Sequence, residues 1–269
     1  MERQSELPKE KQNELSKIAH VMAVMSGKGG VGKSSVTALL AVAFAKKGYK
    51  VGVLDADITG PSIPKIFGIH SHAENFEFGI LPAKTQLGIE VMSLNLLLAH
   101  EDDPVVWRGP LIAGAVKQFW TDVVWGDLDY LLVDLPPGTG DAPLTVMQSL
   151  PLDGLIIVSS PQELATMVVK KAIKMASIMK TPVLGLIENM SYAVCPRCGE
   201  ILRIFGPSKG EEVARAMEIP FLGTLPIDAR LAELCDKGQI ETYSSPLVKD
   251  IINQVDIANL ASTRVAKEG

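Results

Sequence analysis

The pattern of apolar and polar positions predicts that strands and helices alternate along most of the chain. Short apolar runs bounded by glycine, proline or aspartate are typical of buried strands, whereas longer runs with apolar residues at helical spacing are typical of helices. Strands that alternate with helices form parallel pairs with right-handed crossovers. We therefore predict an α/β fold with a doubly wound, mostly parallel sheet flanked by helices on both faces.

The predicted elements extend from residue 8 to residue 265. Residues 58–103 are the hardest to interpret, because glycines and prolines interrupt them, and only one strand is predicted there. Predicted strands lie at 21–25, 50–54, 89–94, 130–133, 154–159, 182–188 and 221–225. Predicted helices lie at 8–19 (on the surface), 36–47, 109–124, 142–150, 162–179, 209–217, 229–237 and 246–265.

Composition and charge favour a soluble globular protein. Of 269 residues, 47% are hydrophobic and 21% are charged, and the net charge of −5 argues against a nucleic-acid-binding surface. The first six residues are polar and of mixed charge, unlike a signal peptide, and no uncharged apolar run reaches the ~20 residues of a membrane helix. We expect a cytoplasmic protein with no nucleic-acid and no membrane partner.

A glycine-rich segment after the first predicted strand matches the phosphate-binding loop pattern G-x-x-x-x-G-K-[ST]. Glycines let successive backbone N–H groups turn toward an anion, and the helix that follows directs its positive end at the phosphates. We expect Lys33 to reach the β- and γ-phosphates and the Ser34 hydroxyl to complete a Mg²⁺ shell. The predicted nucleotide contacts are Gly27, Lys28, Gly29, Gly30, Val31, Gly32, Lys33, Ser34 and Ser35.

Two predicted strands end in aspartates at the sheet edge where parallel-sheet proteins bind ligands. Asp134 closes the strand at 130–133 and is the expected second acid for Mg²⁺, whereas Asp55 and Asp57 close the strand before it. Taken alone, each acid is equally consistent with an ordinary strand-end residue. Behind a phosphate loop, the functional interpretation is favoured.

Cys195 and Cys198 form a C-x-x-C pair in a small knob at about 192–205. Two thiolates at this spacing can bind one metal and are half of a four-ligand site. The same pair from a second copy would complete four cysteines around a [4Fe–4S] cluster on a two-fold axis. Zinc in the same cage stays open, and a thioredoxin-like redox pair is less favoured because nothing helical follows. The third cysteine, Cys235, has the helical spacing of a buried core residue.

The phosphate loop resembles the deviant loop of the family that contains MinD, ParA, the nitrogenase iron protein and the arsenite-pump ATPase. The resemblance rests on Lys28, a second lysine one residue after the first glycine. It implies an ATPase in which Lys28 contacts the nucleotide of the opposite subunit of a homodimer. It also implies that Asp57 positions the attacking water and that Asp134 begins the second switch segment. From the residues alone, Lys28 is ambiguous, because an exposed loop lysine is usually just solvated.

Within that family the chain is most similar to the Mrp/ApbC group of ATP-dependent iron–sulfur cluster scaffolds and carriers. The matching segments span residues 21–238 and lie at 55–64, 106–110, 134–141, 188–191 and 195–198. The resemblance implies slow ATP hydrolysis coupled to loading or transfer of a bridging [4Fe–4S] cluster, with apo iron–sulfur proteins as recipients. It also implies that Asn189 hydrogen-bonds the adenine, that Pro226 and Asp228 line its pocket, and that Arg108 contacts the dimer partner or a phosphate.

Two departures and two rival interpretations accompany this resemblance. Residues 1–20 contain no cysteine, so we do not expect the N-terminal cluster of the eukaryotic scaffolds, and residues 205–210 lack a common glycine-rich run. The rivals are a MinD/ParA-like positioning or partition ATPase and a zinc-stabilised nucleotide-binding regulator. For domains, we expect an N-terminal helical extension at 1–20 and a single P-loop nucleotide-binding domain at 21–269.

Overall fold

An eight-stranded sheet forms the centre of the protein, and all its strands run parallel except one at the edge. The computed structural model describes residues 11–57, 60, 62–70, 73–97, 109–162 and 166–256. The strands are β1 (Lys17–Ser26), β2 (Val51–Asp55), β3 (Glu74–Phe76), β4 (Gly79–Leu81), β5 (Ala83–Lys84), β6 (Glu90–Ser93), β7 (Asp127–Asp134), β8 (Gly154–Ser159), β9 (Val183–Glu188), β10 (Ala193–Val194), β11 (Ile201–Leu202) and β12 (Phe221–Thr224). Their order in the sheet is β12–β9–β8–β1–β7–β2–β6–β5, and β3–β4 and β10–β11 are separate antiparallel hairpins.

Helices cover both faces of this sheet, which confirms the predicted doubly wound architecture. They are α1 (Lys33–Lys46), α2 (Ile63–Ile66), α3 (Gly109–Thr121), α4 (Asp141–Ser149), α5 (Thr166–Ile178), α6 (Gly210–Ala216), α7 (Ala229–Asp236) and α8 (Pro246–Val255), with short 3₁₀ turns at Leu94–Leu97 and Ile240–Thr242. None of the helices in these described ranges is long and apolar enough to span a bilayer.

The central strand β1 shows why helices are needed on both sides. Its residues Val21, Ala23 and Met25 pack with α3, α4 and α5, whereas Met22 and Val24 pack with α1 and α8. All five side chains are buried. A parallel strand covered on both faces is expected to be apolar at consecutive positions rather than at alternate ones, and residues 21–25 follow that rule.

The helix predicted at 8–19 is wrong in the part that the structure describes. Residues 11–16 form no helix, and β1 already begins at Lys17. Asn13 folds the chain into a turn, since its side chain accepts a hydrogen bond from the N–H of Leu15. Lys17 then pairs with Asp127 of β7. Pairing with a strand distant in sequence therefore overrides the weak local helix signal.

The last predicted helix is shorter than its amphipathic pattern suggests. Helix α8 ends at Val255, because Asp256 leaves the helical conformation with ψ 89°. The buried Asp256 carboxylate accepts hydrogen bonds from Lys47, Tyr49 and Tyr130, and these bonds turn the residue toward the sheet. Residues 257–265 of the predicted helix lie outside the described residues.

Candidate nucleotide-binding site and cysteine hairpin

The phosphate loop lies between the end of β1 at Ser26 and the start of α1 at Lys33. Gly30 and Gly32 have φ of 86° and 78°, in the left-handed region that glycine adopts most easily. Gly27 is required for a different reason: a Cβ there would lie 1.6 Å from a methyl carbon of Val168 in α5. These glycines allow a backbone that a phosphate can approach, as the loop pattern predicts.

Asp134 is the centre of a buried polar network behind the loop. Its Oδ2 accepts hydrogen bonds from Lys33 Nζ at 2.7 Å and from the Ser34 hydroxyl at 2.5 Å. Its Oδ1 accepts one from the Thr37 hydroxyl at 2.7 Å. The structure thus brings Lys33, Ser34 and Asp134 together. Thr37 was missed by the sequence interpretation, although it lies one helical turn after Lys33 and Ser34 on the same face of α1.

The two aspartates after β2 differ in their surroundings. Asp57 lines the cleft in front of the phosphate loop, which we call the nucleotide cleft, and its Oδ2 lies 3.7 Å from Lys33 Nζ. Asp55 accepts hydrogen bonds from the backbone N–H groups of Asp57, Ser62 and Ile63. Burial, together with the neighbouring Asp134 charge, raises the pKa of Asp55 to about 8. We infer that Asp55 has a structural role and fixes the backbone that follows β2. Asp57 is the acid that faces the cleft.

A cleft of about 400 Å³ opens in front of the loop, within the size range of small-ligand sites. It adds a second cation, Lys65 of α2, which the sequence interpretation missed because the region around α2 carries no periodic signal. The lining residues are Ser26, Gly29, Gly30, Gly32, Lys33, Ser34, Ser35, Asp57, Gly60, Ser62, Lys65, Ile66, Pro137, Cys235 and Asp236.

The oxygen groups around Ser34 fit a Mg²⁺ ion that is held jointly with a nucleotide. Mg²⁺ takes few protein ligands and shares the rest of its shell with phosphates and water. The Ser34 hydroxyl and the Asp134 carboxylate are oxygen ligands of that kind, and the hydroxyl already donates a hydrogen bond to the carboxylate. Among the described residues, no group of three or more His, Cys, Asp or Glu could form a metal cage from the chain alone.

Cys195 and Cys198 lie in the connection of the β10–β11 hairpin, which we call the cysteine hairpin (residues 193–202). The Cys195 N–H donates to the Glu200 carbonyl, and the Gly199 N–H donates to the Cys195 carbonyl, both at 2.9 Å. The backbone N–H groups of Cys198 and Arg197 lower the pKa of the Cys195 thiol, because they donate to its sulfur. Cys198 is exposed and Cys195 is half-buried, so neither thiol is enclosed by the protein.

The residues predicted to recognise the base have partners within the protein. Asn189 Nδ2 donates to the Val31 carbonyl at 2.8 Å. Asp228 caps α7 by accepting from the N–H groups of Arg230 and Leu231, and Pro226 is half-buried in the same connection. The Tyr243 hydroxyl also donates to Asp228, at 2.8 Å. Base recognition by Asn189, Pro226 and Asp228 therefore stays a prediction.

The prediction that Cys235 is a buried core residue is wrong about its burial, although the side chain does pack against the core that contains α1 and α8. Its side chain is half-buried, lines the nucleotide cleft and hydrogen-bonds Ser35, and burial raises the pKa of its thiol. The spacing with Leu231 and Leu234 is misleading, because α7 is short and none of its residues is fully buried. Lys28 is exposed on the loop, and Arg108 lies outside the described residues.

Comparison with known proteins decides the family. The family model described as "ParA: NUBPL iron-transfer P-loop NTPase" matches residues 17–259. The chain belongs to this family. An "Iron-sulfur cluster carrier protein" of Clostridium perfringens is 48% identical over 247 residues, which cover 89% of this chain and 87% of the relative. A protein of the same name from Methanocaldococcus jannaschii is 51% identical over 226 residues, covering 83% and 78%.

Solved structures of P-loop proteins agree with this family membership. A nucleotide-binding protein of Archaeoglobus fulgidus, solved in complex with ADP, is 53% identical with a TM-score of 0.78, over 86% of this chain and 90% of that one. The cell division ATPase MinD of Pyrococcus furiosus covers 89% of this chain and 99% of its own at a TM-score of 0.61. Its 21% identity supports the shared fold alone. The family resemblance and the P-loop fold predicted from the sequence are thus confirmed.

Proposed function

We propose that this protein is a slow ATPase that binds a [4Fe–4S] cluster between two copies of the chain and transfers it to apo iron–sulfur proteins. One observation carries the proposal: a complete phosphate-loop network and an accessible two-thiolate hairpin occur in one chain. Relatives that align over most of their length are named iron–sulfur cluster carriers. We place this activity in the cytoplasm.

The proposed ATP site uses the groups around Asp134. In the described structure Lys33 Nζ is paired with Asp134, and a bound nucleotide would draw it toward the β- and γ-phosphates. Ser34 would then hold Mg²⁺ directly, and Asp134 would hold it through water. When bound, Mg²⁺ neutralises charge on the β- and γ-phosphate oxygens. The loop N–H groups orient the phosphates for in-line attack.

Hydrolysis requires a positioned water, and Asp57 is the proposed residue for it. The water oxygen bonds to the γ-phosphorus while the bond from that phosphorus to the β–γ bridging oxygen breaks. The products are ADP and phosphate, and Asp57 takes the proton of the attacking water. Lys28 of the second copy would stabilise the charge on the transferred phosphoryl group, as the resemblance implies. Lys33→Ala and Asp57→Ala should each abolish phosphate release, and persistent turnover would mean that another site hydrolyses ATP.

The cluster is the cargo of this reaction, and one copy of the chain supplies two of its four thiolates. The second copy would supply the others across a two-fold axis. If ATP binding favours the closed dimer, it changes the distance between the two cysteine pairs. Nucleotide affinity and cluster affinity must then be coupled reciprocally.

Anaerobic reconstitution tests the proposed cargo. We expect wild-type protein to bind about four iron and four sulfide per two chains and to be coloured. Cys195→Ala should lose both, whereas Cys235→Ser serves as the matched control and should retain them. A full cluster in Cys195→Ala contradicts the bridging site. A colourless preparation that contains zinc instead favours a zinc-stabilised regulator.

A further inference from the structure

Residues Glu188–Ser191, which we call the connecting segment, join the end of β9 to the cysteine hairpin. Strand β9 ends at Glu188, and the hairpin begins at Ala193. The Asn189 N–H donates to the Ser159 carbonyl, and the Ser191 N–H donates to the Leu225 carbonyl. The connecting segment is therefore held at the sheet edge that also carries the phosphate loop.

Glu188 holds both ends of the chain segment that contains the cysteine hairpin. Its Oε1 accepts hydrogen bonds from the backbone N–H groups of Lys209 at 3.0 Å and Gly210 at 2.9 Å, where α6 begins. Its Oε2 accepts a hydrogen bond from the hydroxyl of Ser191, a residue that precedes the hairpin. The carboxylate is completely buried. A buried carboxylate needs such partners, and here they come from either side of the hairpin.

The next residue, Asn189, is in direct contact with the phosphate loop. Its Nδ2 donates to the carbonyl of Val31, which lies between Gly30 and Gly32, the two loop residues with positive φ. A Cβ on Gly32 would lie 2.4 Å from that same nitrogen. Met190 has φ 58°, an uncommon conformation for a residue other than glycine, as found where a chain is tightly constrained.

We propose that the connecting segment makes the orientation of Cys195 and Cys198 depend on what is bound at the phosphate loop, with Glu188 and Ser191 as positioning residues. This inference rests on the proposed function. Phosphate attracts the loop N–H groups, so rotation of the Val31 peptide moves the acceptor of Asn189. Glu188 binds Ser191 on the N-terminal side of the hairpin, and Lys209 and Gly210 at the start of α6 on its C-terminal side. Movement of the connecting segment is therefore passed to the chain segment that carries the cysteines. By linkage, a ligand on the cysteines changes nucleotide affinity by the same factor.

Thiol alkylation of the reduced, cluster-free, full-length protein tests this inference. Iodoacetamide modification is followed separately at each cysteine by peptide mass spectrometry, with and without saturating Mg²⁺ADP. Protection of Cys235, which lines the nucleotide cleft, reports occupancy in the same sample. In the wild type we expect nucleotide to change the Cys195 and Cys198 rates by about 5-fold or more, the lower end of the range of allosteric coupling.

Ser191→Ala removes the hydroxyl that donates to Glu188. Ser191 is not among the residues that line the nucleotide cleft. We expect this variant to keep Cys235 protection and to reduce the nucleotide effect on Cys195 and Cys198 below about 1.5-fold, because the coupling free energy is lost. Glu188→Gln is a second, isosteric variant with the same expected result, since its amide nitrogen replaces an accepting oxygen. Ser149→Ala, which removes a hydroxyl bonded within α4, is the matched control and should behave as the wild type.

Two results would overturn the inference. One is a wild type in which Cys235 is protected while the Cys195 and Cys198 rates do not change. The other is a full nucleotide effect in both Ser191→Ala and Glu188→Gln. Neither result affects the proposed function, which instead fails if reconstituted wild-type protein holds no cluster or if nucleotide leaves Cys235 unprotected.

Discussion

At the scale of single residues, the site depends on charges that are buried and mutually satisfied. Lys33 is 5% exposed and pairs with Asp134, which is 0% exposed. Removing one partner of a buried pair leaves an uncompensated charge and is far more costly than removing an exposed ion pair. The same lysine therefore contributes to the stability of the nucleotide-free protein, separately from its proposed role in catalysis.

Lys33→Ala should lower the free energy of unfolding by about 3–5 kcal/mol, because Asp134 is left charged in the core. Adding Asp134→Asn should restore part of that loss, since the uncompensated charge is removed. Urea unfolding of the single and double variants measures both effects. Arg215→Ala is the control: Arg215 pairs with Glu211 on the surface of α6, both side chains are exposed, and the loss should cost less than about 1 kcal/mol. Equal losses for Lys33→Ala and Arg215→Ala would contradict the assignment.

The cysteines are expected to differ in reactivity with pH. The thiolate is the reactive form, and its abundance depends on the pKa. Backbone N–H donors lower the pKa of Cys195, and burial raises that of Cys235. Cys195 should therefore reach its full alkylation rate at lower pH than an ordinary cysteine, and Cys235 only at higher pH. Modification rates measured by mass spectrometry between pH 6 and pH 10 (about two units either side of an ordinary thiol pKa) test this order.

At the scale of elements, the sequence predicts the strands and helices whose apolar residues recur at a regular spacing. It does not predict elements whose conformation depends on pairing with a strand distant in the sequence. Strand–loop–helix order around Lys33 follows from local sequence, and so does the acidic end of β7 at Asp134. The strand at Lys17 could not be predicted, because its partner Asp127 is distant in the sequence. Lys65 joins the site only because α2 packs beside the phosphate loop, whereas Thr37 follows from the helical spacing after Lys33 and was overlooked. The partner of Asn189 in the loop has no sequence signal at all.

The end of helix α8 is held by one carboxylate, that of Asp256, and its contribution to stability can be measured. Hydrogen bonds from Lys47, Tyr130 and Tyr49 outweigh burial and lower the pKa of Asp256. Because the pKa of Asp256 is lower in the folded than in the unfolded protein, its ionised carboxylate stabilises the fold at pH values above the unfolded-state pKa of about 3.9. This stabilisation is lost as the pH falls through the folded-state pKa. Asp256→Asn should cost about 1.5–3 kcal/mol at pH 7 and should flatten the loss of stability in acid. Chemical unfolding from pH 7 to about pH 3 measures both.

At the scale of the whole molecule, the fold class was predictable because its main signal is repeated at every strand. Helices on both faces, the parallel sheet and the ligand edge follow from that repetition. The assembly has no such repeated signal: the cysteine hairpin supplies two thiols, and the proposed four-thiolate site needs a second copy.

Cluster-loaded protein without nucleotide should therefore be a dimer, and removal of the cluster by an iron chelator should return it to the monomer. Light scattering coupled to size-exclusion chromatography measures the change. Cys198→Ala, treated with the same iron and sulfide, should remain a monomer throughout. A loaded wild-type monomer, or a Cys198→Ala dimer that binds the full cluster, would contradict the two-copy site.

The antiparallel edge strand β5 limits how two copies can meet. It contains only Ala83 and Lys84, and the lysine is exposed and paired with Glu90. A short, charged edge resists the addition of a further strand from another molecule. Growth of the sheet into a continuous intermolecular sheet, a common route to aggregation, is therefore blocked on this side. The proposed dimer meets instead through the loops at the ligand edge, so it can form and dissociate without any change in strand pairing.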